Sequence, residues 1–493
     1  MKKNIFIWSG LALLFAVTRL INLKIIPIFT DEAIYSYWAQ VALHDPANRF
    51  ISLEDGKQPL FIWLAAAFQR FVTDPLVATR LVSVLAGIGS LIGIYLLART
   101  LFNKKAALLA AIFYIVLPFT ILYDRMGLYD SLLTALGIYT VLLTIKMAKE
   151  PRLDLALLNG FAIGLGMITK STAQLFLYFI PVSLIMFNIK REKLVSRFTK
   201  WVSLTLVTIF LSQIIYNSLR LSPLFYLIDR KNHEFIRTFS QVLNNPFLHF
   251  QSNIQTMILW LLQYNGPLFM ILLTAAIILG FIKRQKQAIY LSFFVLAPIL
   301  IEGLFNQVLY PRFSLFFFPY AIILICAFLV KLSTSKKYAK YFWPLIAVTL
   351  IFPLINSFLL LTNPPKATIA DSDKNQYLNS WPAGYGVEQV IKIVKADSAG
   401  QKVYVGTEGT FGLLPYALQI YFYGNQNVEI VGFWPVRDIP NQVMQQAKSK
   451  KTYFIFNETQ NIGDNSINPH LKLIAKYQKG SGDSFMHLFK VLP

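Results

Sequence analysis

The sequence LVSVLAGIGSLIGIYLLA, residues 81–98, has no charged side chain and nearly the ~20 residues that a helix needs to cross a bilayer. It belongs to an apolar run that begins at residue 76, and similar runs recur up to residue 361. The predicted spans are 5–23, 76–98, 106–122, 128–146, 154–170, 172–188, 202–219, 266–283, 287–305, 313–331 and 341–361. The sequence therefore predicts about eleven transmembrane helices.

Composition supports a polytopic α-helical membrane protein. Of the 493 residues, 55% are apolar and only 14% are charged, whereas soluble domains have about 25% charged residues. The net charge of +22 would suit a nucleic-acid-binding protein, but no basic run is interleaved with stacking aromatic residues. The basic residues lie between apolar spans, so we predict a lipid bilayer and no nucleic acid as partner. The single cysteine, Cys326, lies inside a predicted span and excludes an intrachain disulfide.

Charge in the loops predicts the orientation, because short cytoplasmic loops are rich in lysine and arginine. One alternating set of loops has twenty basic and three acidic residues, while the other set has eleven basic and nine acidic residues. We place the first set, with the N-terminus, in the cytoplasm. Loop 24–75 and the tail beyond residue 361 then lie together outside the cytoplasmic membrane.

Loop 24–75 is long enough to have structure of its own. Ile34, Tyr37, Trp38 and Val41 recur at helical spacing, which predicts a helix lying in the membrane interface. A polar turn at 53–58 leads into a second short apolar segment that ends near residue 71. We therefore expect two half-embedded helices in this loop, and loop 220–265 resembles it.

The tail has the composition of a soluble domain. Three buried strands are predicted near 403–405, 428–431 and 453–456, separated by helices over 411–423 and 437–447, with a hairpin over 471–490. We predict two domains, 1–361 in the membrane and 362–493 as a small three-layer α/β domain. Gly406, Gly409 and Gly412 do not have dinucleotide-binding spacing, and we interpret them as strand-to-helix turn residues.

Four polar clusters lie at the outer edge of the predicted membrane domain, where unpaired charge is costly and often functional. Thr30-Asp31-Glu32 could also be an ordinary helix start, with a capping threonine and acids in the first turn. The four clusters, each with its sequence, are Thr30-Asp31-Glu32, Asp55-Gly56-Lys57-Gln58-Pro59-Leu60, Tyr123-Asp124-Arg125-Met126-Gly127-Leu128-Tyr129-Asp130 and Tyr310-Pro311-Arg312-Phe313.

The order of these clusters over residues 1–330 resembles that of the GT-C fold glycosyltransferases. Within that fold, the chain is similar to the bacterial dolichyl-phosphate-mannose protein mannosyltransferase-like family, which includes the lipid A aminoarabinose transferases. The resemblance implies an enzyme that moves a monosaccharide from a polyprenyl-phosphate donor to an acceptor outside the cytoplasmic membrane. The acceptor, a protein, a lipid or a cell-wall glycan, stays open, as does the choice between a hexosyl and a pentosyl group.

The resemblance also implies roles for individual residues. Asp31 matches the family's catalytic acid and is expected to act as general base, while Asp130 matches the second acidic position and Lys57 the lysine of a Lys-Pro-Pro-Leu turn. Glu32 could orient the acceptor, bind a metal or only favour the helix start. Asp130 could instead be an N-cap.

The remaining candidates are cations and a metal site. Arg125 and Arg312, with Tyr310, are candidate ligands of the donor phosphate, since guanidinium can contact two phosphate oxygens; the alternative is snorkelling to the interface. Some relatives hold a divalent ion near the phosphate, so Asp31, Asp130 and His233 are candidate metal ligands. Arg19 and Arg80 are expected to be anchors or partners of Asp31.

Two other functions are compatible with these features. A transporter or lipid-linked-oligosaccharide flippase would also have many spans, although it should show internal repeats and charges near mid-membrane. An oligosaccharide ligase would place its active loop late in the chain.

Overall fold

A computed structural model describes residues 2–436, 438–458 and 468–493. Helices account for most of residues 2–362, and a five-stranded sheet with its helices forms the C-terminal domain. The helices up to residue 362 are α1 (Lys2–Leu20), α2 (Thr30–His44), α3 (Leu60–Gln69), α4 (Pro75–Leu101), α5 (Lys104–Val116), α6 (Pro118–Arg125), α7 (Tyr129–Lys149), α8 (Leu153–Met167), α9 (Gln174–Tyr178), α10 (Leu194–Asn217), α11 (Leu227–Phe235), α12 (Phe239–Asn244), α13 (Phe250–Asn265), α14 (Pro267–Ile282), α15 (Lys286–Phe305), α16 (Phe318–Ser333) and α17 (Phe342–Thr362).

Within the described residues, five helical segments are long and apolar enough to cross a membrane by themselves, and two bent helix pairs pass the same test. The α5–α6 pair bends by 62° at Pro118, and the α13–α14 pair bends by 118° at Gly266-Pro267. Proline has no N–H to continue a helix, and Gly266 has a φ of +80°. The other predicted spans coincide with shorter apolar helices, so eleven spans remains a prediction.

Two segments, one predicted as a span and one as a loop, differ from the sequence-based expectation. The segment predicted as a span over 172–188 is a chain of short helical pieces between Ser171 and Met186. Loop 220–265 contains α11 and α12, and also the whole of α13, which continues the apolar packing into the predicted loop.

Helix α2 was predicted to lie in the interface, but the structure covers it on several sides. Trp38 is 2% exposed, and Tyr37 stacks on Tyr416 of the C-terminal domain with ring centroids 4.3 Å apart. The apolar face of α2 therefore packs against protein, between the membrane helices and the soluble domain. The sequence could not show this, because the covering side chains lie almost 400 residues further along the chain.

The C-terminal domain has helices on both faces of a mixed sheet, as predicted. Its elements are α18 (Asp371–Lys374), α19 (Val387–Ser398), β1 (Val403–Glu408), α20 (Leu413–Phe422), β2 (Val428–Phe433), α21 (Asn441–Ala447), β3 (Lys451–Phe456), β4 (Leu471–Gln478) and β5 (Phe485–Val491). The sheet has the order β2-β1-β3-β5-β4; β1 pairs in parallel with β2 and β3, and β5 pairs antiparallel with β3 and β4. Helices α19 and α20 cover one face and α21 covers the other.

The glycines at positions 406, 409 and 412 have two different roles. Gly409 and Gly412 lie in the turn from β1 to α20 and have φ values of +100° and +116°, which explains why glycine is needed there. Gly406 lies inside β1 instead, where a Cβ atom would approach the Phe454 ring to 2.6 Å. The interpretation as turn residues was therefore wrong for Gly406.

Candidate active site

Three of the four polar clusters predicted from the sequence contribute to the lining of one cavity of about 360 Å³. Its walls come from the turn after residue 55, the start of α7, the link between α8 and α9, α11, the end of α15 and the loop before α16. Four cationic side chains line it, with two acidic ones and an apolar part made by aromatic and aliphatic residues. The charged lining residues are Lys57, Lys170, Lys231, Arg312, Asp130 and Glu302.

Asp31 and Arg312 form an ion pair at the edge of this cavity. The Arg312 Nη2 lies 3.0 Å from an Asp31 carboxylate oxygen; the Arg312 side chain is 11% exposed and that of Asp31 is 24% exposed. Burial lowers the pKa of Arg312, but the charge of Asp31 outweighs this and leaves that pKa above its ordinary value. Arg312 also lines the cavity, and its buried Nη1 has no hydrogen-bond partner among the described residues. The pair thus leaves one donor of Arg312 for a ligand.

Lys57 reaches the cavity from a tight turn. The preceding Gly56 has a φ of +63°, and a Cβ atom there would lie 2.4 Å from the Leu227 carbonyl oxygen. The Lys57 ammonium lies 5.2 Å from the centre of the Phe235 ring, and no hydrogen bond or ion pair of this side chain occurs within the described residues. Burial lowers the pKa of Lys57 by more than the nearby charges of Asp31 and Asp55 raise it. A partly buried cation without an anionic partner is suited to bind one.

Two further lysines complete the cationic lining. The Lys170 ammonium lies 2.7 Å from an Asp130 oxygen and 4.1 Å from the centre of the Phe313 ring. Lys231 lies 2.8 Å from Asp55. Neither lysine was predicted as a site residue, although Lys170 is the only charge between two apolar runs of the sequence. Asp130 lies in the first turn of α7, which has Leu128 rather than Asp130 as N-cap.

Glu302 was also missed by sequence reasoning. It lies near the end of α15, is 5% exposed and lines the cavity. One of its carboxylate oxygens is buried without a hydrogen-bond partner among the described residues. Its signal in the sequence is a single acid inside an apolar span.

Glu32 is adjacent to Asp31 but has a different environment. Its carboxylate accepts two hydrogen bonds from Arg80, of 2.8 and 2.7 Å, and one of 2.7 Å from the backbone N–H of Gly127. It also accepts the N–H of Phe29, which is the N-cap of α2 in place of the expected Thr30. Glu32 and Arg80 are both fully buried. The side chain of Glu32 is thus occupied by structural contacts, and Arg80 is its partner rather than a partner of Asp31.

Arg125 does not reach the cavity. Its guanidinium donates to the backbone carbonyl oxygens of Thr18, Arg19, Ile21 and Asn22, and so caps the end of α1. These contacts occupy the groups that the sequence assigned to phosphate. Arg19 likewise binds Asp124, at 3.1 Å, and not Asp31.

Tyr310 and His233 lie beside the site rather than in its lining. The Tyr310 ring centre is 5.0 Å from the guanidinium carbon of Arg312, so this ring supports the arginine. His233 is half exposed, and its Nδ1 lies 2.8 Å from the Asp229 carbonyl oxygen.

The predicted metal site does not assemble from these residues. Among the residues that the structure describes, no group of three or more His, Cys, Asp or Glu side chains could hold a metal ion. Asp31 and Asp130 instead have cationic partners. The donor set present does not fit a divalent ion.

Comparison with known proteins supports the same fold class. The family model Dolichyl-phosphate-mannose-protein mannosyltransferase matches residues 56–216, a part of the chain that contains Lys57, Asp130 and Lys170. No curated protein sequence matches the chain. The predicted GT-C fold with a small C-terminal α/β domain is confirmed by the solved structures that resemble it.

Two solved proteins illustrate the structural likeness. ArnT from Cupriavidus metallidurans bound to undecaprenyl phosphate has a TM-score of 0.56 at 13% identity, covering 99% of this chain and 98% of that one. The Archaeoglobus fulgidus oligosaccharyltransferase in complex with Zn and sulfate has a TM-score of 0.53 at 12% identity, covering 91% of this chain and 67% of that one. At these identities the likeness establishes the fold, which is that of multi-pass membrane glycosyltransferases.

Proposed function

We propose that this protein is a membrane glycosyltransferase that moves a monosaccharide from a polyprenyl-phosphate donor to an acceptor. The observation that carries the proposal is the Asp31–Arg312 pair at the edge of a cavity with four cations. The cavity combines groups for a phosphate with apolar walls for a lipid. Two comparisons support this class of donor. ArnT was crystallised with undecaprenyl phosphate, and the matching family model is named for dolichyl-phosphate-mannose.

The donor phosphate would bind between Lys57 and Arg312. Among the residues that the structure describes, Lys57 forms no ion pair and the Arg312 Nη1 has no hydrogen-bond partner. Both groups can therefore contact phosphate oxygens without breaking an existing pair. The apolar lining, which includes Leu175, Ile301 and Phe305, would take the first isoprene units. Positive groups fixed around the phosphate stabilise the charge that develops on it as the sugar leaves.

Asp31 would act as the general base for the acceptor. An acceptor hydroxyl or amine attacks the anomeric carbon, its proton passes to Asp31, and the bond between that carbon and the phosphate oxygen breaks. The products are the glycosylated acceptor and the polyprenyl phosphate. Because the phosphate is a good leaving group, one carboxylate suffices where a glycosidase needs two.

Location and acceptor belong to the same proposal. The bias of basic residues toward one set of loops supports an active site on the outer side of the cytoplasmic membrane, with the C-terminal domain on that side. The acceptor would be a protein, a lipid or a cell-wall glycan.

The test is Asp31→Asn in purified protein supplied with polyprenyl-phosphate sugars. We expect sugar transfer to fall by about 10²- to 10⁴-fold, the usual contribution of a general base. Donor binding should be kept, because the substitution leaves Arg312 and Lys57 in place. Glu54→Gln, in the same loop but exposed, is the matched control. Full turnover by the Asp31 variant would refute the mechanism, and lipid movement without sugar transfer would indicate a flippase.

A further inference from the structure

A second cavity, of about 430 Å³, lies in the C-terminal domain at the carboxyl ends of its parallel strands. Glu408 ends β1, Trp434 follows β2 and Asn457 follows β3. Trp381 and Phe411 line the same cavity from the segments before α19 and α20. In open α/β sheets, ligands bind beyond this edge of the strands.

The side chains around this cavity combine exposed aromatic rings with buried polar groups. Trp381, Phe411 and Trp434 are 43%, 52% and 51% exposed, whereas Glu408 and Asn457 are 2% and 1% exposed. Three large exposed aromatic side chains at one cavity are unusual for a soluble surface and mark an interaction site. The rings offer flat apolar faces, and the floor contains a carboxylate and an amide that are themselves hydrogen-bonded.

A buried network fixes one of these aromatic residues. The Asn457 Nδ2 and the Lys479 ammonium both donate to the Trp381 carbonyl oxygen, at 2.9 and 3.0 Å. The Asn457 backbone N–H donates to Glu408 at 2.6 Å. The polar floor therefore holds the backbone that carries the Trp381 ring, which pre-organises the wall of the cavity.

The same wall is bonded to the segment that precedes Asp31. The Thr30 backbone N–H donates to the Pro382 carbonyl oxygen at 3.1 Å, and the Gly384 N–H donates to Ile28 at 2.8 Å. The Phe411 ring lies 6.3 Å from the Trp38 ring of α2. These contacts thus connect the wall of the second cavity directly to the segment that carries Asp31.

We propose that this second cavity binds a carbohydrate and holds the acceptor glycan for the transfer proposed above, on which this assignment rests. Sugar rings present apolar C–H faces, which pack on aromatic rings, and hydroxyl groups, which pair with carboxylates and amides. A lipid chain would require a continuous apolar wall, and the buried carboxylate of Glu408 interrupts it. The volume of the second cavity, about 430 Å³, lies within the usual range for small-ligand pockets.

The experiment is saturation-transfer NMR on the full-length protein in nanodiscs. The probes are soluble oligosaccharides of mannose, glucose, galactose and N-acetylglucosamine, with a set of unglycosylated peptides for comparison. We expect at least one oligosaccharide to bind, Trp434→Ala to weaken that binding at least tenfold and Trp434→Phe to restore part of it. Leu473→Ala, which removes an exposed apolar side chain on β4, is the matched control and should leave binding unchanged.

Two variants separate this proposal from the transferase mechanism. Lys57→Met should weaken the binding of undecaprenyl phosphate but keep oligosaccharide binding, and Trp434→Ala should do the reverse. If Lys57→Met does not weaken the binding of undecaprenyl phosphate but the oligosaccharide results hold, the proposed function is refuted and the carbohydrate site remains. Binding of no oligosaccharide, binding that survives Trp434→Ala, or binding of peptides only would overturn the carbohydrate assignment.

Discussion

Replacement of Lys57 by methionine tests the phosphate site most directly. Methionine keeps much of the length of the side chain and its packing on Phe235 but removes the charge. Lys57 has no ion-pair partner within the described residues, so its loss exposes no orphaned carboxylate. Burial lowers the pKa of Lys57 and therefore disfavours its charged form. The substitution should therefore leave the thermal stability of the donor-free protein unchanged or slightly higher.

The expected loss of donor affinity follows from the contact that disappears. A hydrogen bond to a charged group contributes about 1.5–3 kcal/mol. Since 1.4 kcal/mol corresponds to a factor of ten, undecaprenyl phosphate should bind roughly 10- to 100-fold more weakly. Arg312 remains and prevents a complete loss. Lys57→Arg keeps the charge in a different shape, and we expect an intermediate affinity.

The assay is the equilibrium binding of undecaprenyl phosphate to the protein in nanodiscs, with thermal unfolding measured on the same samples. Lys392→Met, which removes an exposed lysine on α19, is the matched control for net charge. An affinity within twofold of that of the parent protein would refute the role of Lys57 at the phosphate. A fall in stability together with affinity would assign Lys57 a structural role instead.

Three further predictions concern other ionised groups. Lys170→Met should lower kcat/KM at least tenfold and reduce thermal stability, because Asp130 then lacks its cation; adding Asp130→Asn should restore the stability but not kcat/KM. Glu32→Gln should destabilise the fold by about 3–5 kcal/mol, because Arg80 loses its buried charged partner. The measurement is the melting temperature, which this variant should lower and Asp31→Asn should not. Burial lowers the pKa of Lys479 to about 7, below its value in the unfolded chain. Between pH 7 and 10 the unfolded chain therefore binds more protons than the folded protein, and the free energy of unfolding should rise with pH. Lys479→Met should flatten that rise in melting experiments.

Local pattern was sufficient for much of the fold. The three parallel strands were predicted within a few residues of β1, β2 and β3, because short apolar runs between turn residues identify buried strands. The bends at Pro118 and Gly266 were missed, although both carry a proline signal in the sequence. The burial of α2 could not be predicted, since it depends on docking of the C-terminal domain.

For the site, the sequence predicted which charges lie near one another better than it predicted how they pair. Lys57, Asp130 and Arg312 line one cavity, with Asp31 paired to Arg312 at its edge, as their predicted common side of the membrane required. Arg125 was misassigned because a guanidinium that caps a helix and one that binds phosphate look identical in a sequence. Both are arginines at the outer end of an apolar span.

The contrast between Asp31 and Glu32 shows where sequence reasoning stops and geometry begins. Successive residues of a helix point about 100° apart, so two neighbouring acids at the start of α2 must face different surroundings. Glu32 faces inward, where Arg80 and the Gly127 N–H satisfy its carboxylate completely. Asp31 lies at the edge of the cavity, where its carboxylate is 24% exposed and its partner Arg312 has a buried Nη1 without a hydrogen-bond partner among the described residues. A fully satisfied carboxylate can hold a fold together, whereas only the partly satisfied one can accept a proton from a substrate.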